Sequence, residues 1–70
     1  MSTERLANSM KALRAEAGLT QADLAAAVGV TRKTINTVEN NVFTPSALLA
    51  LKIARALGKP VDEVFYLEGD

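Results

Sequence analysis

The fold is decided by the twenty residues Gln21 to Asn40, QADLAAAVGVTRKTINTVEN. Leu24, Val28, Val30, Ile35 and Val38 are the apolar positions that let two short, steeply crossing helices share one core, and Ala25 is small where the second helix passes close. Just upstream, Thr20-Gln21-Ala22-Asp23 reads as a variant capping box. Its hydroxyl and carboxylate each satisfy free N–H groups of a helix start, which predicts a helix from Gln21 to Val28. Gly29 ends that helix and permits a tight turn, and Thr31 caps a second helix from Arg32 to about Asn40. This is the pattern a DNA-binding helix-turn-helix requires; the bland alternative is a helical hairpin that binds nothing.

Outside this segment, Gly18, Pro45, Gly58 and Pro60 divide the chain into stretches that suit only short helices, four or five in all. Upstream, Leu6, Met10, Leu13 and Ala17 form an apolar stripe at helical period that stops at Gly18. Either Ser2 or Asn8 is placed to cap this helix, so residues 3 to 7 are either helical or extended. Downstream, Asn40 to Pro45 is a loop, and Ser46 caps a helix from Ala47 to Leu57. Leu48, Leu49, Leu51, Ile53 and Leu57, with only Lys52 and Arg55 as charges, predict a central helix wrapped by the others. A last helical turn from Val61 to about Tyr66 buries Val64 and Phe65. The expected fold class is all-α: a compact bundle of about five short helices in a single domain, residues 1–70, with a dimerisation end at about 61–70.

Seventy residues, 49% hydrophobic and 23% charged, suffice for one modest core. With neither Cys nor His, the chain has no disulfide, no zinc site of the Cys/His kind, no thiol nucleophile and no imidazole for acid/base work. No two carboxylates stand in an evident pair, so an enzyme is not expected. No phosphate loop or metal cluster is readable; no cofactor is implied, and a small-molecule effector is neither implied nor excluded. The longest uncharged apolar run, Ala47 to Leu51, is far short of the roughly 20 residues of a membrane span. Glu4, Arg5, Lys11 and Arg14 interrupt the start of the chain where a secretory signal would be apolar. The expectation is a soluble cytoplasmic protein, bacterial or phage, associated with the nucleoid.

Net charge is zero, but unevenly distributed. Residues 1–59 hold all eight basic residues and only Glu4, Glu16, Asp23 and Glu39, whereas residues 60–70 hold Asp62, Glu63, Glu68 and Asp70 and no cation. A basic body with an acidic end meets an anionic partner on one face only.

Leu13-Arg14, Gly18-Leu19-Thr20-Gln21, Leu24-Ala25, Val28-Gly29-Val30, Ile35, Glu39-Asn40, Pro45-Ser46 and Leu57-Gly58 together resemble the motif of the XRE family of Cro and phage-repressor-like helix-turn-helix regulators, over nearly the whole chain. The resemblance implies a bundle of about five helices whose third helix enters the DNA major groove, and usually transcriptional repression by dimers. Val61 to Phe65 looks like the ending of the shortest, stand-alone homodimeric members. Two positions depart from the pattern. Asn41 stands where the family often has Gly, and Asn still reaches a left-handed conformation. Thr34 and Thr37 stand where other polar side chains are common, so a base preference does not carry over.

A helical wheel with Ile35 inward puts Val38 and Glu39 on the inner side and Lys33, Asn36, Thr37 and Asn40 outward, with Arg32 flanking them. That outward set has cations and hydrogen-bonding groups and no carboxylate, as a surface against bases and phosphates needs. Arg32 is suited to guanine and Asn36 to adenine; Lys33 suits a base or a phosphate, and Thr37 completes the base-reading set. Thr20, Gln21, Thr31, Thr34, Asn40, Asn41 and Thr44 are the candidates for the DNA backbone, the first two at a helix N-terminus. Glu39, turned inward, needs a partner, and Arg14 on the edge of the first stripe is the best placed, as in the corresponding family pair. At the chain's end, Val64, Tyr66 and Leu67 are the candidate dimer interface, with residues 65–67 also able to pair as a short strand with a second copy. The partners expected are double-stranded DNA with a palindromic operator and a second copy of the chain. The rival reading is an antitoxin or protein-interaction module built on the same fold.

Overall fold

The computed structural model describes residues 3–69. Its elements, in chain order, are β1 (Arg5–Asn8), α1 (Met10–Ala17), α2 (Gln21–Val28), α3 (Arg32–Glu39), α4 (Ala47–Leu57), α5 (Val61–Val64) and β2 (Phe65–Glu68). Three of the helix starts follow directly from side-chain caps. The Thr20 hydroxyl accepts the Asp23 N–H at 3.0 Å while the Asp23 carboxylate accepts the Thr20 N–H at 3.0 Å, the reciprocal capping box that opens α2. Thr31 accepts from the Thr34 N–H and Ser46 from the Leu49 N–H, at 3.2 and 3.1 Å. Gly29, at φ 76°, turns the chain out of α2, and the Val30 N–H closes the turn on the Ala25 carbonyl.

α2 packs against both α3 and α4, and the core they enclose is small and apolar. Met10, Leu24, Ile35, Val38, Ile53 and Val64 are at most 2% exposed, each worth roughly 1.5–3 kcal/mol of apolar burial. α4 is central on one side only. Ile53, Ala54 and Leu57 face the core, but Leu48 and Leu51 are 64% and 57% exposed, so the expectation of a fully wrapped helix is corrected. With so few residues, the neighbouring helices cover one stripe of α4 and run out.

The ends of the chain depart from an all-α reading. β1 and β2 pair antiparallel, Arg5 opposite Glu68, Leu6 opposite Leu67, Ala7 opposite Tyr66 and Asn8 opposite Phe65. Leu6 therefore belongs to a strand rather than to the first helical stripe. Of the two proposed caps, Ser2 lies outside the described residues, as do Met1 and Asp70. Asn8 is not the N-cap either: Ser9 holds that position without a side-chain cap bond, and Asn8, one residue before it, supplies the Oδ1 that accepts the Met10 N–H at 3.1 Å as α1 begins. The last helix is likewise shorter than expected, because Phe65 is already extended (φ −122°, ψ 140°) and carries the chain into β2. Val64 and Phe65 are both buried as expected, at 0% and 8% exposure. An Arg5–Glu68 ion pair at 3.1 Å decorates the ribbon, too exposed to contribute much.

The capping box has a pH signature. The Thr20 N–H, and after it the Thr20 hydroxyl, hold the Asp23 carboxyl below the ordinary carboxylate range. A carboxylate held low in the folded state stabilises the fold at pH above its unfolded-state value and loses that contribution as pH falls through the folded one. Asp23→Ala is therefore expected to lower the melting temperature at neutral pH and to converge on the parent in strong acid. An unchanged difference across a series of thermal melts at falling pH would count against the capping role.

Candidate nucleic-acid interface

Arg32, Lys33 and Asn36 are exposed side by side on α3 and line one shallow depression. The helix they stand on is held from behind. Ile35 and Val38 are buried beneath it, and Glu39, on its inner edge, receives Arg14 from α1 in a two-pronged ion pair. The Arg14 Nε donates to Glu39 Oε2 and Nη2 to Glu39 Oε1, the latter at 3.0 Å, while Nη1 reaches the Leu19 carbonyl at 3.0 Å. The two side chains are only 13% and 6% exposed. Hydrogen bonding to Glu39, helped by its charge and opposed by burial, pushes the Arg14 guanidinium above its already high pKa.

The pair extends outward to the reading face. Gln21 Nε2 donates to Glu39 Oε1 at 3.2 Å, and Gln21 Oε1 accepts from Asn36 Nδ2 at 3.5 Å. Arg14, Glu39, Gln21 and Asn36 thus form a line of polar contacts from α1 through the helix-turn-helix to an exposed side chain of α3. Gln21, a backbone-contact candidate by sequence, is half-buried and is the joint between α2 and α3.

Other expected contact residues sit around the same face with their own local bonds. The Thr31 and Thr34 hydroxyls lie 3.0 Å apart across the first turn of α3. Thr37 is half-buried rather than fully outward, and its hydroxyl donates to the Thr34 carbonyl at 2.9 Å. Asn40 Nδ2 caps the Asn36 carbonyl at 2.9 Å. Asn41 adopts the left-handed conformation at φ 59°, taking the place of the family's glycine. Thr20 and Thr44 are exposed at the two flanks.

What pattern reading missed is the reach of Asn8 across to α3. Its Nδ2 donates to the Val38 carbonyl at 3.1 Å, to the Glu39 carbonyl at 3.4 Å and to Asn41 Oδ1 at 3.1 Å. One amide thus braces the start of α1 with its oxygen and ties down the end of α3 with its nitrogen. Nothing in the periodicity signals this, since the two ends of the contact are 30 residues or more apart. At the chain's end, Tyr66 and Leu67 are 44% and 66% exposed, but Val64 is wholly buried. Val64 closes the core of the single chain and has no surface to offer a second copy, which corrects its place in the expected interface.

The helix-turn-helix family model matches residues 10–64, all of the helical body. The chain belongs to the XRE family of helix-turn-helix transcriptional regulators. It is 46% identical over 61 residues to the HTH-type transcriptional regulator YgzD of Bacillus subtilis, covering 87% of this chain and 92% of that one. It is 39% identical over 56 residues to the antitoxin HipB of Escherichia coli, 80% of this chain and 60% of HipB. The clp gene regulator ClgR of Corynebacterium glutamicum has the same fold, with a TM-score of 0.74 and 28% identity over 77% of this chain, which spans 57% of ClgR. A transcriptional regulator with a helix-turn-helix DNA-binding domain, and not an enzyme, accounts for the fold and the site together. No described helix is long and apolar enough to cross a membrane.

Because the Arg14 and Glu39 side chains are largely shielded from solvent by the same packing, losing one strands the other. Arg14→Met or Glu39→Leu alone is expected to cost about 3 kcal/mol, and the two together distinctly less than the two losses added. Urea unfolding of the four proteins measures this, and strictly additive losses would show that the two charges are not coupled.

Proposed function

We propose that the protein is a repressor that binds a palindromic operator as a homodimer, each copy laying α3 in the major groove. The observation that carries this reading is the sorting of charge on α3. Arg32 and Lys33 stand exposed beside Asn36, while the helix's one carboxylate, Glu39, is turned inward and engaged by Arg14. Arg32 supplies a fork for guanine O6 and N7, Asn36 a paired donor and acceptor for adenine, and Lys33 a charge for a base or phosphate. Thr20, Thr31, Thr34, Asn40, Asn41 and Thr44 border that face and are the proposed backbone contacts, with Gln21 contributing through its place between α2 and α3.

Dimerisation is proposed through the ribbon. Tyr66 and Leu67 are exposed on β2, and a two-stranded ribbon leaves β2 one unpaired edge, which a second copy covers by strand pairing. Two copies place two reading helices on half-sites about 34 Å apart. The similarity to HipB supports a second reading, in which the same domain also holds a protein partner. Salt-dependent binding to a selected duplex separates a DNA regulator from a pure interaction module.

Selection from a random duplex pool followed by titration is the test. Arg32→Ala is expected to weaken binding to the selected operator by about 1–3 kcal/mol and to leave the melting temperature unchanged. Failure to enrich any duplex would refute the reading. In sedimentation at micromolar concentration the parent is expected to be a dimer and Tyr66→Asp or Leu67→Asp a monomer; a monomeric parent with full operator affinity would refute the dimer.

A further inference from the structure

Val42 and Phe43, in the loop that leaves α3, are 78% and 49% exposed, and neither belongs to the core. They are nonetheless firmly placed. Both of their N–H groups donate to the Thr37 carbonyl, at 2.9 and 3.1 Å, and Asn41 before them is held in its left-handed turn by the Asn8 side chain. The result is an open apolar notch lined by Thr37, Val42 and Phe43, with Lys33 and Thr34 at its rim.

Two columns run along α3, because residues four apart stand above one another. One is Arg32 and Asn36, the proposed hydrogen-bonding readers. The other is Lys33 and Thr37, and it leads into the notch. Thr37 brings no free donor there, since its hydroxyl is turned back to the Thr34 carbonyl. The notch therefore suits an apolar group, and one carried by an anion, given Lys33 at its edge and no carboxylate in its lining. The major groove of DNA offers such a group in the 5-methyl of thymine, for which apolar side chains and threonine methyls are the known complements.

We propose that this notch seats the 5-methyl group of one thymine in each half-site, making Val42, Phe43 and Thr37 specificity determinants beside Arg32 and Asn36. The inference rests on the reading of α3 as the major-groove helix and adds the loop after it to the base-reading surface.

The experiment removes the methyl alone. In the selected operator, each thymine is replaced singly by deoxyuridine, and affinity is measured by fluorescence anisotropy at fixed salt. One thymine position per half-site is expected to lose roughly threefold to fivefold on replacement, as for one methyl withdrawn from an apolar contact. Val42→Ala and Phe43→Ala, checked by thermal melts, are expected to bind thymine and deoxyuridine duplexes with nearly equal affinity at that position. A selected operator indifferent to every replacement, or lacking thymine in its half-sites, overturns the notch and leaves the DNA reading standing. So does a sensitivity that both variants retain in full. Failure to select any duplex overturns the functional reading, and this inference with it.

Discussion

The ion pair between Arg14 and Glu39 is the constraint on which the rest of the structure depends. A carboxylate on a helix that faces DNA is a liability if it points outward, and a cost in the core if it points inward alone. Arg14 resolves both, because a guanidinium fork matches both carboxylate oxygens and still has an N–H for the Leu19 carbonyl that leads into α2. One side chain therefore joins α1, the entry to α2 and the inner edge of α3. Gln21 carries the same connection on to Asn36. With a core of so few fully buried side chains, the orientation of α3 is set as much by these polar contacts as by packing.

Asn8 adds a second tie at the same C-terminal end of α3. It sits where β1 gives way to α1, and its amide reaches the last carbonyls of α3 and the turn at Asn41. β1 in turn is held by β2, and the Ser9 N–H donates to the Val64 carbonyl at 2.9 Å. The ribbon, the start of α1 and the loop after α3 thus form one connected region. In the proposed dimer, a second copy joined at the ribbon would be coupled through it to the proposed base-reading surface.

The parts legible in the sequence are those with local causes. α2 and α4 run between the residues expected, and α3 closes one residue early at Glu39, because a cap or a glycine in left-handed geometry marks each of these ends within a few residues. The exposure of Arg32, Lys33 and Asn36 and the inward turn of Glu39 follow from helical period alone. The ribbon is legible only in part: residues 3 to 7 stand open between helix and strand, and residues 65–67 read as a strand pairing with a second copy, whereas they pair with β1 of the same chain. Leu6 continues the apolar spacing of α1, and only a partner strand some 60 residues on shows it to be extended. Asn8 bridging to Asn41, Thr37 bonding its own helix and Val64 closing the core are equally long-range or rotamer-level facts that periodicity does not carry. The half-exposed side of α4 was hidden for a different reason: an apolar composition states what wants burial, not whether a small chain has enough elements to provide it.

The most direct test of this arrangement is to map the DNA contact on the folded protein. Backbone amide NMR spectra recorded while a selected operator duplex is titrated in would report each element separately. Large shifts are expected for the amides of residues 31–37 and 41–44 and for the start of α2, with the exposed Leu48–Arg55 side of α4 little changed. Shifts concentrated on α4 or on the ribbon, with α3 unmoved, would contradict the account.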